Sequence, residues 1–321
     1  MSTNLEDLIG RSNTAGKPSA GVPGRLWFDT TLDKLQRDSG TDWEDVEKAD
    51  PVVSAGGWAF PADGRLTLTT GVPVTIADVL TAATLYYAPY NGTQIALYDG
   101  SSEWNIRTFS ELSLDVSGFT TGKNYDIWCY DNSGTPTLDS TIWTDDTTRA
   151  TALTRQNGIL VKTGATTHRY LGTIRMSAAG QTEDSDAKRF VINHYNKVKR
   201  RLYLPYNTAH TYNSGTWRAW NNDTAARLQF ITLGEEAISI GMIIICTGTS
   251  GRKVAATLAV DMTNNATMPN FEWAIATQIR AHTYFTLSPL SAGFHYIQAV
   301  QSATDGEVAY GVMRMFAEVT G

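Results

Sequence analysis

A chain of 321 residues has room for two or three domains, and its 42% hydrophobic content is enough for ordinary cores. The net charge of −6, from 26 basic and 32 acidic side chains, argues against a general nucleic-acid binder, which needs a basic face to displace counterions from phosphate. Charged residues make up only 18% and aromatics 10%, a balance that suits extracellular or assembled β proteins better than a typical cytosolic enzyme.

Residues 1–24 are rich in Gly, Pro, Ser and Asn after one short amphipathic turn at 5–9, and such an arm is expected to stay disordered until it meets a partner. No basic n-region followed by an apolar h-region is present, so no signal peptide is read, and no run approaches the ~18 apolar residues that span a bilayer. Over 25–46, Leu26 and Phe28 alternate with Trp27, and the turns TTLD and DSGTD separate short extended runs that end near Trp43. This reads as a small β-meander stapled by aromatics, too small for a core of its own.

From about 65 to 180 the chain is dense in strands separated by turn clusters such as NGT, DGSS and DNSGTP. Over 125–130 both alternating faces are apolar or aromatic (Tyr125, Ile127, Cys129; Trp128, Tyr130), so that strand is expected to be covered on both sides, by a second sheet or by another subunit. Cys129 and Cys246 each lie in an apolar run and read as small buried hydrophobes. Asp145 and Asp146 are adjacent, so on a strand they point to opposite faces and are badly placed for a glycosidase pair. They read instead as partners of Arg149 or as turn acceptors.

The stretch 182–204, TEDSDAKRFVINHYNKVKRRLYL, carries acidic residues at its start and basic residues at its end, as a helix dipole favours. Thr182, Asp184 or Ser185 could cap it, Pro205 could stop it, and Val191, Tyr195, Val198 and Leu202 recur at steps of four, three and four. The spacing predicts a connecting helix between two β-rich regions.

Residues 205–321 read as a second all-β domain, a jelly-roll-like sandwich. A near-continuous apolar run at 237–246 suggests a central strand, 271–280 alternates strictly, and Asp305-Gly306 reads as the turn of a hairpin between 295–301 and 308–319. The fold class is therefore mainly β, divided as 1–50, 51–181, 182–204 and 205–321.

Catalytic patterns are scarce. His168, His194, His210, His282 and His295 show no metal-ligand spacing, no GxSxG elbow occurs, and GTSGRK at 248–253 lacks Walker spacing, so no cofactor or metal is expected. Tyr212, Trp217 and Trp220 within TYNSGTWRAWNND form one candidate glycan-binding cluster, with packing in a core edge or interface as the alternative.

The series Gly24-x-Leu26-Trp27-Phe28-Asp29-Thr30, then Lys34-Leu35-x-Arg37-Asp38-x-Gly40-Thr41-x-Trp43, resembles the short hairpin modules in tail-fibre and other appendage proteins of tailed bacteriophages. The strings LYYAPYNGTQIALYDG at 85–100, IWTDDTTRATALTRQNGILVKTGATTHRYLGTIRM at 142–176 and RFVINHYNKVKRRL at 189–202 resemble a domain of phage fibre or head-decoration proteins. The resemblance covers roughly 25–46 and 70–204. It implies a non-enzymatic homotrimeric virion protein, assembled in the host cytoplasm, with Trp27, Phe28 and Trp43 docking on tail, baseplate or capsid proteins. Val191, Tyr195, Val198 and Leu202 would then line a threefold core. The expected role is a fibre or spike reaching for a host glycan or protein, with a capsid-decoration (cement) protein as the alternative. A polysaccharide-degrading tailspike fits less well, because neither long β-helix repeats nor carboxylate clusters are read. No nucleic acid or membrane insertion is implied.

Overall fold

A computed structural model describes residues 9–23, 25–31, 34–45, 60–247, 252–264, 267–269, 271–275, 278–303 and 306–321. The chain divides into two units, Met1–Ala59 and Phe60–Gly321, rather than at residues 50, 181 and 204.

The first unit is a four-stranded sheet of Ile9–Ser12, Leu26–Asp29, Lys34–Asp38 and Trp43–Asp45. The last three form the expected meander by antiparallel pairing. The arm departs from expectation, because Ile9–Ser12 lies parallel to Leu26–Asp29 and residues 13–23 are ordered against the sheet. Asn13 caps a short turn at Thr14–Gly16, and the Asp38 carboxylate gathers the N–H groups of Gly21 (3.0 Å) and Val22 (3.0 Å). The polar composition that suggested disorder here supplies turn and capping groups instead.

The second unit is almost entirely β and holds two apolar cores. One contains Leu66, Leu85, Ile95, Ile127, Cys129 and Ile174, and the other Leu202, Phe230, Ile240, Cys246, Ile297 and Met315. Burial of this kind is worth about 1.5–3 kcal/mol per large aliphatic side chain, so each core can hold its own layers. The two are joined by one continuous 14-stranded sheet that runs from Thr135–Ile142 at one end to Phe271–Ile275 at the other. Facing its C-terminal half is a sheet ordered Lys199–Tyr206, Val308–Thr320, Ile238–Thr247, Gln278–Leu287, with His210–Tyr212 also on Val308–Thr320. These two layers enclose the second core as a sandwich, and Ile238–Thr247 is central as the apolar run implied.

The connecting helix does not form. Residues 182–204 fold as parts of Gln181–Asp184, Lys188–Arg189, Val191–Asn193 and Lys199–Tyr206. Lys199–Tyr206 pairs over its whole length with the C-terminal strand, from Lys199 opposite Thr320 to Tyr206 opposite Met313. Eight residues of pairing, with Leu202 fully buried, outweigh a weak helical preference. Asn196 takes a φ of 52°, which breaks any helix there. Pro205 sits on an edge strand, where its missing N–H is tolerated. The supposed stripe is scattered: Val191 packs against the first core, Leu202 lies inside the second, Val198 pairs through its backbone with Gly321, and Tyr195 meets Arg169.

Two further expectations change. Gly293–Ser302 and Val308–Thr320 belong to different sheets, so they do not pair as the expected hairpin, and Asp305 of the expected turn lies outside the described residues. Asn124–Asn132 is covered on both faces, as expected, but by its own chain. Tyr125, Ile127 and Cys129 enter the first core, while Trp128 packs against Tyr170 and Asp126 pairs with Arg149 at 2.9 Å. Cys129 and Cys246 are buried in separate cores, and burial pushes both thiols up to about 12.

Candidate binding surfaces

In the N-terminal sheet Trp27 and Trp43 lie 6.3 Å apart, ring to ring, on one half-buried face, while Phe28, next to Trp27 on the same strand, belongs to the opposite face. Trp43 Nε1 donates to the Pro18 carbonyl (2.8 Å), and the Arg25 guanidinium sits 5.0 Å above its ring. Burial opposes charge on Asp38, but N–H groups of Val22, Gly21 and Gly40 and the Arg25 side chain hold its pKa well below the usual carboxylate range. The sheet thus presents two partly open tryptophans on a rigid, charge-clamped base.

The glycan cluster is not assembled as expected. Trp220 is fully buried, edge-on to Tyr310 (5.1 Å) and His210 (5.5 Å), so its faces are unavailable to a sugar. The Tyr212 ring is capped by Arg218 at 3.7 Å, and its hydroxyl donates to the Thr216 carbonyl (2.7 Å). Trp217 is half-buried. The Asn-rich string around Trp220 looks like a loop in sequence, yet Arg218–Ala219 pairs with Val300 and Gln301 and carries the tryptophan inward.

Asp145 accepts turn N–H bonds from Thr147 (2.9 Å) and Thr148 (2.7 Å), while Asp146 pairs with Arg175 (2.7 Å). Arg149 belongs to Asp126 instead. Among the described residues no group of His, Cys, Asp and Glu could hold a metal ion, and no helix is long and apolar enough to cross a membrane.

A surface not anticipated from sequence lies on the outer face of the C-terminal sheet. Strand register places Tyr203, Phe316, Gly241 and Tyr284 side by side across four strands. Phe316 leans over Gly241, where any Cβ would meet its ring at 2.3 Å. Tyr284 is 60% exposed and Ile243, beside it, 44%. The next row is Pro205, Arg314, Ile243 and His282, and Arg280 follows opposite Ile245. The alternation of 278–287 and 308–320 carried the signal for this face, but its partners come from strands over a hundred residues apart.

Two histidines bias stability with pH in opposite directions. Burial between Tyr170 and Tyr195 pushes His194 down to about 4 from an ordinary 6.5. The unfolded chain therefore binds the extra proton between pH 6.5 and 4, and stability falls as pH drops through that window. Burial also opposes charge on His295, but the Asp261 carboxylate (2.7 Å) and the Ser291 carbonyl (2.8 Å) raise its pKa overall. Its contribution is complete below the unfolded pKa and is lost as pH rises through the folded one. Urea unfolding of His194→Gln should show a flatter acid limb than wild type, by about 1–2 kcal/mol after allowing for the ring's partial exposure. An unchanged limb would remove His194 as its cause.

No family model matches the chain, and no curated protein sequence matches it. Among solved structures it is similar to the insecticidal delta-endotoxin Cry8Ea1 of Bacillus thuringiensis, at 9% identity and TM-score 0.26, over 80% of this chain and 52% of the toxin. It is similar to a chain of infectious bursal disease virus, Gx strain, at 10% identity and TM-score 0.29, over 94% of this chain and 66% of that one. It is also similar to the enzymatically active domain of tailspike protein 4 of bacteriophage CBA120, at 15% identity and TM-score 0.18, over 38% of this chain and 19% of that one. The chain spans about half the length of the first of these. At such TM-scores they carry no argument about activity or ligand.

Proposed function

We propose that this chain is a structural, non-enzymatic protein of a tailed-phage virion: a homotrimeric fibre or spike, docked through its N-terminal sheet and presenting its C-terminal sandwich to the host surface. The observation that carries this reading is the separate N-terminal unit, whose strands hold the residues that resemble phage appendage modules and whose Trp27 and Trp43 stay partly open. The all-β second unit, whose buried charges are held in ion pairs such as Asp126–Arg149 and Asp184–Arg189 or, for Arg65 and Arg169, by backbone carbonyls, is consistent with a scaffold rather than a catalyst. A threefold contact, if formed, must use something other than a helical stripe, since Val191, Tyr195, Val198 and Leu202 are dispersed.

Removing residues 1–45 should leave a soluble oligomer that no longer enters virions, measured as copies per purified particle. A truncated protein at normal copy number would overturn the docking role. Imaging of virions labelled at the C-terminus separates the two architectures, since label on the capsid means a decoration protein and label at an appendage tip means a fibre or spike.

A further inference from the structure

We infer that the outer face of the C-terminal sheet, the row Tyr203, Phe316, Tyr284 with Arg280 and Arg314 beside it, is a binding platform for an acidic polysaccharide. This rests on the proposed host-facing orientation only for its biological meaning; the chemistry stands on the face itself.

Three aromatic side chains lie in one line across four strands, a span of about 14 Å at the usual strand spacing. Gly241 supplies no side chain in that line, so the Phe316 ring lies down over it and presents a flat surface between Tyr203 and Tyr284. Flat aromatic faces receive the C–H faces of pyranose rings, and tyrosine hydroxyls at the rim add polar contacts. A row along one line suits successive sugars of an extended polymer better than a single small ligand.

Charge selects among polymers. Arg280 is exposed and makes no ion pair among the described residues, Arg314 bonds only backbone carbonyls, of Tyr206 (3.4 Å) and Met313 (2.9 Å), and His282 lies between them on the neighbouring row. On the other side of the aromatic line Lys199 is paired with Glu318 (2.8 Å) and Arg201 with Asp186 (2.5 Å). Two guanidinium groups without carboxylate partners among the described residues therefore lie beside the exposed Tyr284 and the half-buried Phe316 and Tyr203, the last with the Arg201 guanidinium 5.3 Å from its ring centre, on a chain whose net charge is −6. Guanidinium forks match carboxylates and phosphates bidentately.

The test uses the full-length protein and a set of purified acidic bacterial polysaccharides, uronate-containing and phosphate-containing, each beside a neutral dextran. Binding to at least one acidic polymer and not to dextran is expected, weakening between roughly 50 and 300 mM salt. Tyr284→Ser and Arg280→Gln, both at exposed positions, should each weaken it about tenfold without changing the melting temperature, while Tyr284→Phe retains it. Equal retention of dextran, no binding to any acidic polymer, or binding indifferent to these variants would overturn the inference. A change of oligomeric state in Tyr284→Ser would also overturn it and assign the face to a contact between copies. Because binding is read on isolated protein, a protein absent from virions that still binds sinks only the function proposed above. One present on virions that binds nothing sinks only this platform.

Discussion

Arg189→Met should cost the second unit about 3–5 kcal/mol, because it removes the cation at the centre of a buried charge cluster. The Arg189 side chain is only 8% exposed and reaches Asp184 (3.1 Å) and Asp186 (2.9 Å). Its Nε and Nη2 also donate to the Arg201 carbonyl, at 3.0 and 2.8 Å. One side chain thus ties Lys188–Arg189, in the large sheet, to Lys199–Tyr206 in the sheet opposite. With Arg189 gone, Asp184 retains only Arg200 (3.2 Å) as an ion-pair partner, and the part-buried Arg201 carbonyl loses both side-chain donors. Arg201→Met is the informative contrast. Arg201 is 68% exposed and holds the same Asp186, so its loss should cost under about 1 kcal/mol. Urea midpoints at constant slope would measure both. Similar losses for the two variants would mean the cluster is solvated in solution. Adding Asp184→Leu and Arg200→Met to Arg189→Met should recover part of the loss, since Arg200 is itself only 16% exposed and pairs with Asp184, and replacing all three leaves none of them as an unpaired buried charge.

The same cluster explains why this stretch misleads in sequence. Acidic residues before basic ones is what a helix dipole favours, yet it is equally what a set of antiparallel segments needs to neutralise itself across a turn. The steps of four, three and four through Val191, Tyr195, Val198 and Leu202 arise by coincidence, because two strands and the loop between them supply the four residues. A period of two was also present: Leu202, Leu204 and Tyr206 face the core, while Arg201, Tyr203 and Pro205 face out. Eight cross-strand pairs with residues 313–320 decided between the readings, and pairing between residues more than a hundred positions apart leaves no local trace. Continuous apolar runs such as 238–247 were legible because an unbroken apolar stretch marks a central strand without any register, even though only its Ile238, Ile240, Met242, Ile244 and Cys246 side enters the core. The aromatic row was not, since Tyr203, Tyr284 and Phe316 become neighbours only once four strands are in register. Trp220 was misjudged for a related reason, as a two-residue pairing with Val300 and Gln301 turns a loop-like string into core.

Gly293→Ala should destabilise the second unit by about 3 kcal/mol or more, and it tests whether the two cores behave as one body. Gly293 has a φ of 134°, and a Cβ there would lie 2.3 Å from the Asp146 carbonyl oxygen and 2.9 Å from Thr147 Cα. Both obstacles are backbone, so no side-chain rotation relieves them. Asp146 is also the hub of the seam between the cores. Its carbonyl accepts from Phe294 N–H (2.9 Å) and Asn124 Nδ2 (2.9 Å), and its carboxylate holds Arg175 (2.7 Å), whose guanidinium lies 3.6 Å from the Phe294 ring centre. Displacing the 145–148 turn therefore loosens contacts on both sides at once. Gly71→Ala separates strain from clash, since Gly71 also has a positive φ, 69°, but nothing lies within 4 Å of its Cβ position. That control should cost only about 1–2 kcal/mol. Hydrogen exchange should show amides of Asn124–Asn132 and of Gly293–Ser302 losing protection together in Gly293→Ala, as expected when one continuous sheet couples the cores. Loss confined to the C-terminal strands would mean that the sandwich opens on its own, and equal costs for the two glycine variants would mean that the seam yields without strain.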